Sequence, residues 1–473
     1  MKRMFKNTRK PLIVGITASS RSVLRNDGMK SIFNNISDEL ELKTLLQEMS
    51  HFRKKISNSD GALISAFFGA KHFECSFLLF NLRDIFDTSR KKSKDYHKNK
   101  EKLIESIKNC DGILISTPVY FGDCSSYIYE LFRLEDNGNH NIFNEKVVGV
   151  LSSGAKRNGG QETTNIFTLY EFFRQGANII GNGPPTSQYG GTIWAGDKGG
   201  IGDDSLGIET AIGTGKKMGE ILSITNSYVN NGNDNEKLEN LSDNYINLAI
   251  ILPEKKLLSE KIRQDIQCVI EKTFDEALKK NKIILKINYV EIKDDIRRCM
   301  GCDKCPPDRN DLDCIINDNM RSFRSILLSS DSILFINYIE NSGNIDTWLN
   351  FKIFLERTRH LRHNNFELTN KPVSIITIMA GDCNFESNLR DIKFITYFLR
   401  HNTICVGPPV AVFLNNSLSK SGISCEFKNT LYGSVKIMLT KLFKFSHMIK
   451  TTNVKKLVNT LYIPYGFGKF KNH

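Results

Sequence analysis

Three segments combine residue types that can hold an anion and a flat ring. The first, Thr17-Ala18-Ser19-Ser20-Arg21-Ser22, follows a short apolar run and consists of hydroxyls, small residues and one arginine. Hydroxyls and backbone N–H groups in such a turn wrap a phosphate, and the guanidinium adds charge. If the stretch after it loops out, Ser57-Asn58-Ser59 caps the next helix and turns that helix's N–H groups toward the same anion. The second segment, Ser116-Thr117-Pro118-Val119-Tyr120-Phe121-Gly122, brings two aromatic rings and a glycine to the end of another apolar run. That composition offers a planar ring flat contact and close backbone donors. The third, Ser152-Ser153-Gly154-Ala155-Lys156-Arg157-Asn158-Gly159-Gly160-Gln161-Glu162, lets backbone approach a ligand before a helix begins, and Tyr189-Gly190-Gly191 extends it. Each has a plainer alternative: a helix cap, a turn packing on its own core, a flexible connection.

A fourth set lies in the second half, Cys299-x2-Cys302-x2-Cys305-x8-Cys314. Thiolates this close together suit a cubane [4Fe–4S] cluster. Four thiolates also suit zinc, although three at such short gaps are awkward for one tetrahedral ion. A remnant that binds nothing is the third reading. Four of the eleven cysteines crowd here, which fits ligation or redox chemistry in a reducing compartment and not a disulfide scaffold.

Positioning these residues requires a sheet with helices on both faces. Apolar runs Leu12–Ile16, Phe77–Phe80, Gly112–Ser116, Val147–Leu151 and Asn178–Gly181 read as strands. Helical patterns fill Asp60–His72, Lys98–Asn109, Ser125–Leu134 and Glu162–Gln175 between them. The alternation predicts an α/β, doubly wound parallel sheet, whose ligand sits beyond the carboxyl ends of the strands. Residues 18–56 interrupt the scheme. In them Leu42, Leu45, Leu46 and Met49 mark one helix face, which reads as a surface excursion, a lid or an oligomer contact.

The 473 residues exceed one ordinary core. The expected division is residues 1–225, an Asn-rich linker at 226–245, and a second domain at 246–473. There the alternation resumes, with strands at Leu248–Leu252, Ile283–Val290, Ser332–Ile336 and Val373–Ile378 and a helix at Leu258–Leu278. Cys110-Asp-Gly-Ile-Leu-Ile-Ser parallels Ser330-Asp-Ser-Ile-Leu-Phe-Ile, and Gly183-Pro184-Pro185 parallels Gly407-Pro408-Pro409. These pairs predict a tandem duplication. The second copy lacks the phosphate- and ring-binding chemistry of the first: its first loop is Pro253-Glu254-Lys255-Lys256 and its second Asn337-Tyr338-Ile339-Glu340-Asn341.

A net charge of +13 draws anionic partners. The Lys-rich stretch Arg90–Lys108 lacks interleaved aromatics and reads as a solvated helix face, so no nucleic-acid partner is expected. No run reaches the length of a signal-peptide core or membrane span, and the expectation is a cytoplasmic protein with no membrane partner.

Thr17 to Arg21, Ser116 to Gly122, Asn158-Gly159-Gly160-Gln161-Glu162-Thr163-Thr164 and Ser187-Gln188-Tyr189-Gly190-Gly191 resemble the NADPH-dependent FMN reductase superfamily. The last two are similar to its multimeric NAD(P)H:quinone oxidoreductase branch. The resemblance covers about residues 11–222 and implies a flavodoxin-like fold there, which with the duplication makes two tandem flavodoxin-like domains. It implies FMN held by Ser19, Arg21 and Ser59 at the phosphate, by Pro118, Val119, Tyr120, Phe121 and Gly122 along the ring, and by Ser153, Gly154 and Gly159 at the polar edge. Thr17, Ser20, Ser57, Ser152, Arg157, Gly160 and Tyr189 complete the candidate set, with Tyr120 and Arg157 assigned to face the substrate. The implied chemistry is hydride transfer from NAD(P)H to FMN and onward to a quinone-like or other small acceptor. A homo-oligomer is implied as well. The cysteine run, followed by Asn317-Asp318-Asn319-Met320, is similar to the iron-sulfur flavoprotein relatives of the superfamily. The competing reading is a non-catalytic electron-transfer or redox-sensing protein.

Overall fold

The computed structural model describes residues 9–51, 56–87, 94–136, 142–184, 187–194, 196, 200–231, 245–253, 258, 260–278, 283–293, 295–302, 314–340, 346–363, 366–380, 384–414 and 425–452. The chain divides into two compact units, Met1–Lys237 and Leu238–His473.

In the first unit, β1 (Leu12–Thr17), β3 (Gly112–Pro118) and β4 (Val147–Gly154) are nearly all buried, as parallel strands covered on both faces must be. β2 (Ser76–Asn81) pairs with β1, and the order is β2-β1-β3-β4-β5, with β5 reduced to Asn178–Ile179. β4 pairs with β5 at its start and with β6 (Gly191–Trp194) at its end, so the fifth position is shared by two short strands. The sequence reading placed one strand over Asn178–Gly181; the turn at Gly183-Pro184 breaks it.

The helices of this unit are α1 (Asn26–Asn35), α2 (Glu39–His51), α3 (Asn58–Lys71), α4 (Leu82–Phe86), α5 (Lys94–Asn109), α6 (Ser126–Asp136), α7 (Gln161–Arg174) and α8 (Ser205–Asn231). α3 and α8 pack closely because glycines face the contact. A Cβ on Gly69 would lie 2.1 Å from the Ile212 carbonyl, and one on Gly215 would lie 1.6 Å from that of Ala66. α8 also corrects the linker expected to start at 226. It runs to Asn231 because its apolar face, including Met218, Ile221, Leu222 and Ile224, is buried and carries the helix through a stretch of weak formers.

α1 and α2 form the interruption and pack on their own unit. Asn26 completes the ladder of the outermost strand: its Oδ1 accepts from the Leu79 amide at 2.7 Å and its Nδ2 donates to the Leu79 carbonyl at 3.1 Å. Phe33 stacks on Phe77 at 5.6 Å, and α2 sits on the 3₁₀ turn Gly200–Asp203.

The second unit repeats the topology. β7 (Tyr245–Pro253), β8 (Ile284–Ile292), β9 (Ser332–Glu340), β10 (Pro372–Ala380) and β11 (Ile404–Val406) follow the order β8-β7-β9-β10-β11. β10 pairs with β11 at its start and with β12 (Val410–Leu414) at its end. The helices are α9 (Glu260–Leu278), α10 (Met320–Ser329), α11 (Asp346–Arg357), α12 (Arg359–His363), α13 (Asn384–Leu399) and α14 (Cys425–Thr451). Both units are thus α/β flavodoxin-like sheets of order 2-1-3-4-5. Among the described residues no helix is long and apolar enough to cross a membrane.

The α3–α8 contact yields a test. Gly215→Val should destabilise the first unit by about 1–3 kcal/mol, the cost of overpacking. With only two tryptophans in the chain, Trp348→Phe leaves Trp194 as reporter of this unit during urea unfolding. An unchanged midpoint would contradict the packing described.

Candidate functional site

The three loops named from the sequence follow β1, β3 and β4, at one edge of the first unit's sheet. Local chemistry fixes each. In the first, the Ser22 amide donates to the Ser19 carbonyl at 3.1 Å and the Ser19 hydroxyl accepts from the Arg21 amide at 3.2 Å. Arg83 donates to the Ser20 carbonyl at 2.6 Å, so Arg83, Arg25 and the exposed Arg21 cluster around the turn with one carboxylate, Asp84, between Arg83 and Arg25. The excess positive charge suits a phosphate.

Ser57 caps α3 through a capping box with Asp60: its hydroxyl accepts from the Asp60 amide at 3.1 Å, and the Asp60 carboxylate accepts from the Ser57 amide at 3.3 Å. Asp60 also accepts from the Ser22 hydroxyl at 2.5 Å and the Val23 amide at 3.0 Å. It pins the point where the interruption leaves the first loop. Ser59 is buried, and its carbonyl accepts from Ser116 Oγ at 2.8 Å, tying the start of α3 to β3.

The second loop turns back through Phe121 and Gly122, both with positive φ (55° and 79°), between reciprocal hydrogen bonds of Tyr120 and Asp123. These are the dihedrals of a type I′ turn. Phe121 is left fully exposed and Tyr120 half exposed, while Pro118 and Val119 are half-buried. The Val119 amide donates to the Ser153 carbonyl at 3.0 Å, joining this loop to the third.

The third loop is organised by Gln161. Its Nε2 donates to the carbonyls of Lys156 at 2.6 Å and Ile193 at 3.1 Å, and its Oε1 accepts from the Gly159 amide at 2.9 Å. Ser152 Oγ donates to the Gln161 carbonyl at 2.8 Å, and a Cβ on Gly154 would strike the Gln161 side chain at 2.7 Å. Gly160 caps α7 with φ 97°, and a Cβ there would lie 2.9 Å from Gly122 Cα. Only glycine allows both the dihedral and this approach of the two loops.

Arg157, read as substrate-facing, is held by Asp204: the pair forms a close ion pair, and the guanidinium lies over the Trp194 ring at 5.6 Å. Asp204 is buried and also accepts from the amides of Trp194 at 2.6 Å and Gly207 at 3.0 Å. Tyr189 is buried beside β6. Gln161, Asp60, Asp204 and Arg83 are the residues sequence reasoning missed as organisers. For Asp60 the spacing Ser57-x2-Asp60 was a readable capping signal, whereas the Arg157–Asp204 pairing has no local signature.

Among the described residues, polar atoms at the ends of two of these strands remain unmatched. Thr17 Oγ1 at the end of β1 and Ser153 Oγ at the end of β4 are buried without a hydrogen-bond partner. Together with the glycine cradle and the basic first turn, they fit a ligand with a phosphate at one end and a flat polar ring at the other.

In the second unit the corresponding positions differ. Asn337 to Glu340, expected as a loop, are the last residues of β9, paired with Thr377 to Ala380 because β10 is equally long. Pro253 ends β7, and Glu254 to Lys256 and Asn341 lie outside the described residues. Of the cysteine motif, Cys299, Cys302 and Cys314 are half-buried, and Cys305 lies outside the described residues. Among the described residues no three His, Cys, Asp or Glu side chains gather into a group that could hold a metal ion. The motif's loop is anchored by a buried ion pair: Arg357 donates to Asp318 at 2.6 and 3.1 Å and to the Arg297 carbonyl at 2.7 Å. Burial pushes the Asp318 carboxyl up, but Arg357 and the amides of Arg297 and Met320 outweigh it and hold it below its ordinary range.

The profile of the NADPH-dependent FMN reductase family matches residues 54–170. The chain is similar to an iron-sulfur flavoprotein of Methanocaldococcus jannaschii, 36% identical over 126 residues, which are 26% of this chain and 65% of that protein. A second iron-sulfur flavoprotein of that organism is 30% identical over 140 residues, 28% of this chain and 70% of the relative. An NAD(P)H dehydrogenase (quinone) of Cupriavidus metallidurans is 29% identical over 137 residues, 26% of this chain and 66% of the relative. The chain thus spans just under two thirds of the length of the first of these relatives.

Asp60 gives a pH test. Burial raises its carboxyl above the ordinary range, against the hydrogen bonds from Ser22, Val23 and Ser57 that lower it. The folded state therefore keeps this proton to higher pH than the unfolded chain, whose carboxyl titrates near about 3.9. Its stabilising contribution is present below that value and lost as pH rises through the folded value. Asp60→Asn should flatten the pH dependence of unfolding free energy across that window; equal slopes in parent and variant would refute the assignment.

Proposed function

Because this chain belongs to the flavodoxin-like NADPH-dependent FMN reductase superfamily, we propose that its first unit binds FMN and acts as an NAD(P)H-dependent oxidoreductase with a quinone-like or other small acceptor. The observation that carries the reading is the meeting of three loops around unmatched polar atoms: Gly160 against Gly122, with Thr17 Oγ1 and Ser153 Oγ buried and unpartnered. Bound FMN supplies the hydride chemistry.

The protein's part is positioning. Ser19, Arg21, Thr17 and Ser59 hold the phosphate end, with Arg83 shaping the turn through the Ser20 carbonyl. Pro118 to Gly122 line the ring, and Ser153 and Gly154 meet its polar edge. Phe121 and Tyr120, both exposed, are assigned to meet an incoming nicotinamide or acceptor. Arg157 holds the loop through Asp204, with its guanidinium over the Trp194 ring. The same reading places the protein in the cytoplasm as a homo-oligomer without a nucleic-acid partner. A second role, electron transfer or redox sensing through a cluster on Cys299, Cys302, Cys305 and Cys314, rests on the cysteine spacing and on the buried Arg357–Asp318 anchor of that loop.

Protein purified without oxygen should show flavin absorption bands that bleach on addition of NADH or NADPH. Arg21→Gln should weaken FMN about tenfold, equivalent to about 1.4 kcal/mol. Iron and sulfide assayed on the same sample decide the second role: stoichiometric amounts support it and their absence removes it. A chain that takes up no flavin from added FMN would overturn the first.

A further inference from the structure

A side-chain strut joins α6 to the loop after β3. Tyr129 OH donates to Asp123 Oδ2 at 2.6 Å, and the Cys124 amide donates to Asp123 Oδ1 at 2.7 Å. Asp123 also makes the two backbone bonds with Tyr120, at 2.8 and 3.0 Å, that close the turn over Phe121 and Gly122. At the other end of the strut, the Tyr129 ring meets the buried Phe132 edge-on, with centroids 6.2 Å apart. The hydrogen bond to Asp123 raises the Tyr129 phenol above its ordinary range, so the hydroxyl keeps the proton it donates. Past the turn, the Ser125 amide donates to Thr117 Oγ1 at 3.0 Å and pins the chain back to β3.

The turn so held is an unfavourable one. Phe121 has φ 55°, a left-handed dihedral that bulky side chains rarely adopt, and its ring is fully exposed. Tyr120 and Tyr129 each leave 49% of their surface open beside it in sequence or through Asp123. Packing alone would relax the dihedral and lay the ring against its own domain. The closing bonds and the Tyr129–Asp123 strut oppose that. The turn is also fixed against the ligand loops. Gly122 Cα would lie 2.9 Å from a Cβ on Gly160, and the Val119 amide donates to the carbonyl of Ser153, whose buried Oγ has no partner.

We propose that Tyr129 is a positioning residue: acting through Asp123, it holds the Phe121 ring outward as the flat surface on which a planar electron acceptor stacks. This role rests on the flavin reading of the first unit, and it makes the acceptor an aromatic or quinonoid ring and not a compact ion.

The test uses the full chain loaded with FMN, reduced anaerobically with dithionite and mixed with menadione or with ferricyanide. Each reduced flavin gives up two electrons: one menadione takes both, with two protons, to its dihydroxy form, whereas two ferricyanides take one each and no proton. Ferricyanide has no ring to stack. Tyr129→Phe, which removes only the hydroxyl, should lower the ratio of the menadione rate to the ferricyanide rate at least threefold. Asp123→Ala should do the same, and the double variant should fall no further than Asp123→Ala alone, as residues acting in series must. A second readout needs no flavin. In Tyr129→Phe the peptide carrying residues 119–124 should exchange its amide hydrogens about tenfold faster, while the β3 peptide keeps the parent's protection and shows that the variant folds. Unchanged exchange, an unchanged rate ratio or additive losses in the double variant would each overturn the role of Tyr129. Failure of the unmutated chain to take up FMN overturns the flavin reading and this role with it; uptake of FMN with an unchanged ratio overturns this role alone. A parent oligomer that dissociates on Phe121→Ala, sized by light scattering, would give the ring to a second copy and overturn the stacking role.

Discussion

The side-chain amide of Gln161 sets the shape of the site in the first unit. It is the group on which three separate backbone segments converge: the loop after β4, the first turn of α7 and the end of β6. The convergence needs a donor and an acceptor on one planar group. A carboxylate of the same size could still accept from Gly159 but could not donate to Lys156 or Ile193. The glycines around it follow from this, since Gly154 must leave room for the amide and Gly160 must adopt a left-handed dihedral to begin α7. Once the third loop is fixed, the Ser153 carbonyl lies where the Val119 amide can reach it, and the second loop takes its position from the third.

The parts legible in the sequence were those in which one local signal suffices. Apolar runs such as Gly112–Ser116 lie in fully buried parallel strands, and a hydroxyl or glycine loop after such a run falls at a strand's carboxyl end by geometry alone. What was illegible depends on distant partners. Arg157 stood in the loop most suited to a ligand, yet its partner Asp204 is 47 residues away. The Asn-rich end of α8 has a linker's composition, and only the burial of its apolar face makes it helix. Asn337 to Glu340 contain a carboxylate and amides that suggest a loop, yet β10 offers them a complete ladder.

The interruption after the first loop has a structural reason visible in two residues. β2 is the outermost strand of its order, and its open backbone would otherwise present unpaired groups. Asn26 satisfies the Leu79 amide and carbonyl with one side chain, and Asp60 holds the departing chain at Val23, so the excursion is clamped near its start and covers the edge. The same carboxylate fixes the first loop and the start of α3, which couples the conformation of the anion turn to the covering helices.

Both units share more than the strand order, which many unrelated sheets adopt. In each, the fifth position is divided: a short strand pairs with the start of the fourth and a second one with its end, and a Gly-Pro sequence lies between. An irregularity repeated at the same place is stronger evidence of a common ancestor for the two halves than the regular part of the fold. The difference between the copies lies at the same break. Residues 180–190 separate β5 from β6 and carry Tyr189 to the site, whereas only residues 407–409 separate β11 from β12. The second copy therefore has no length of chain there to build the corresponding wall of a ring-binding cleft.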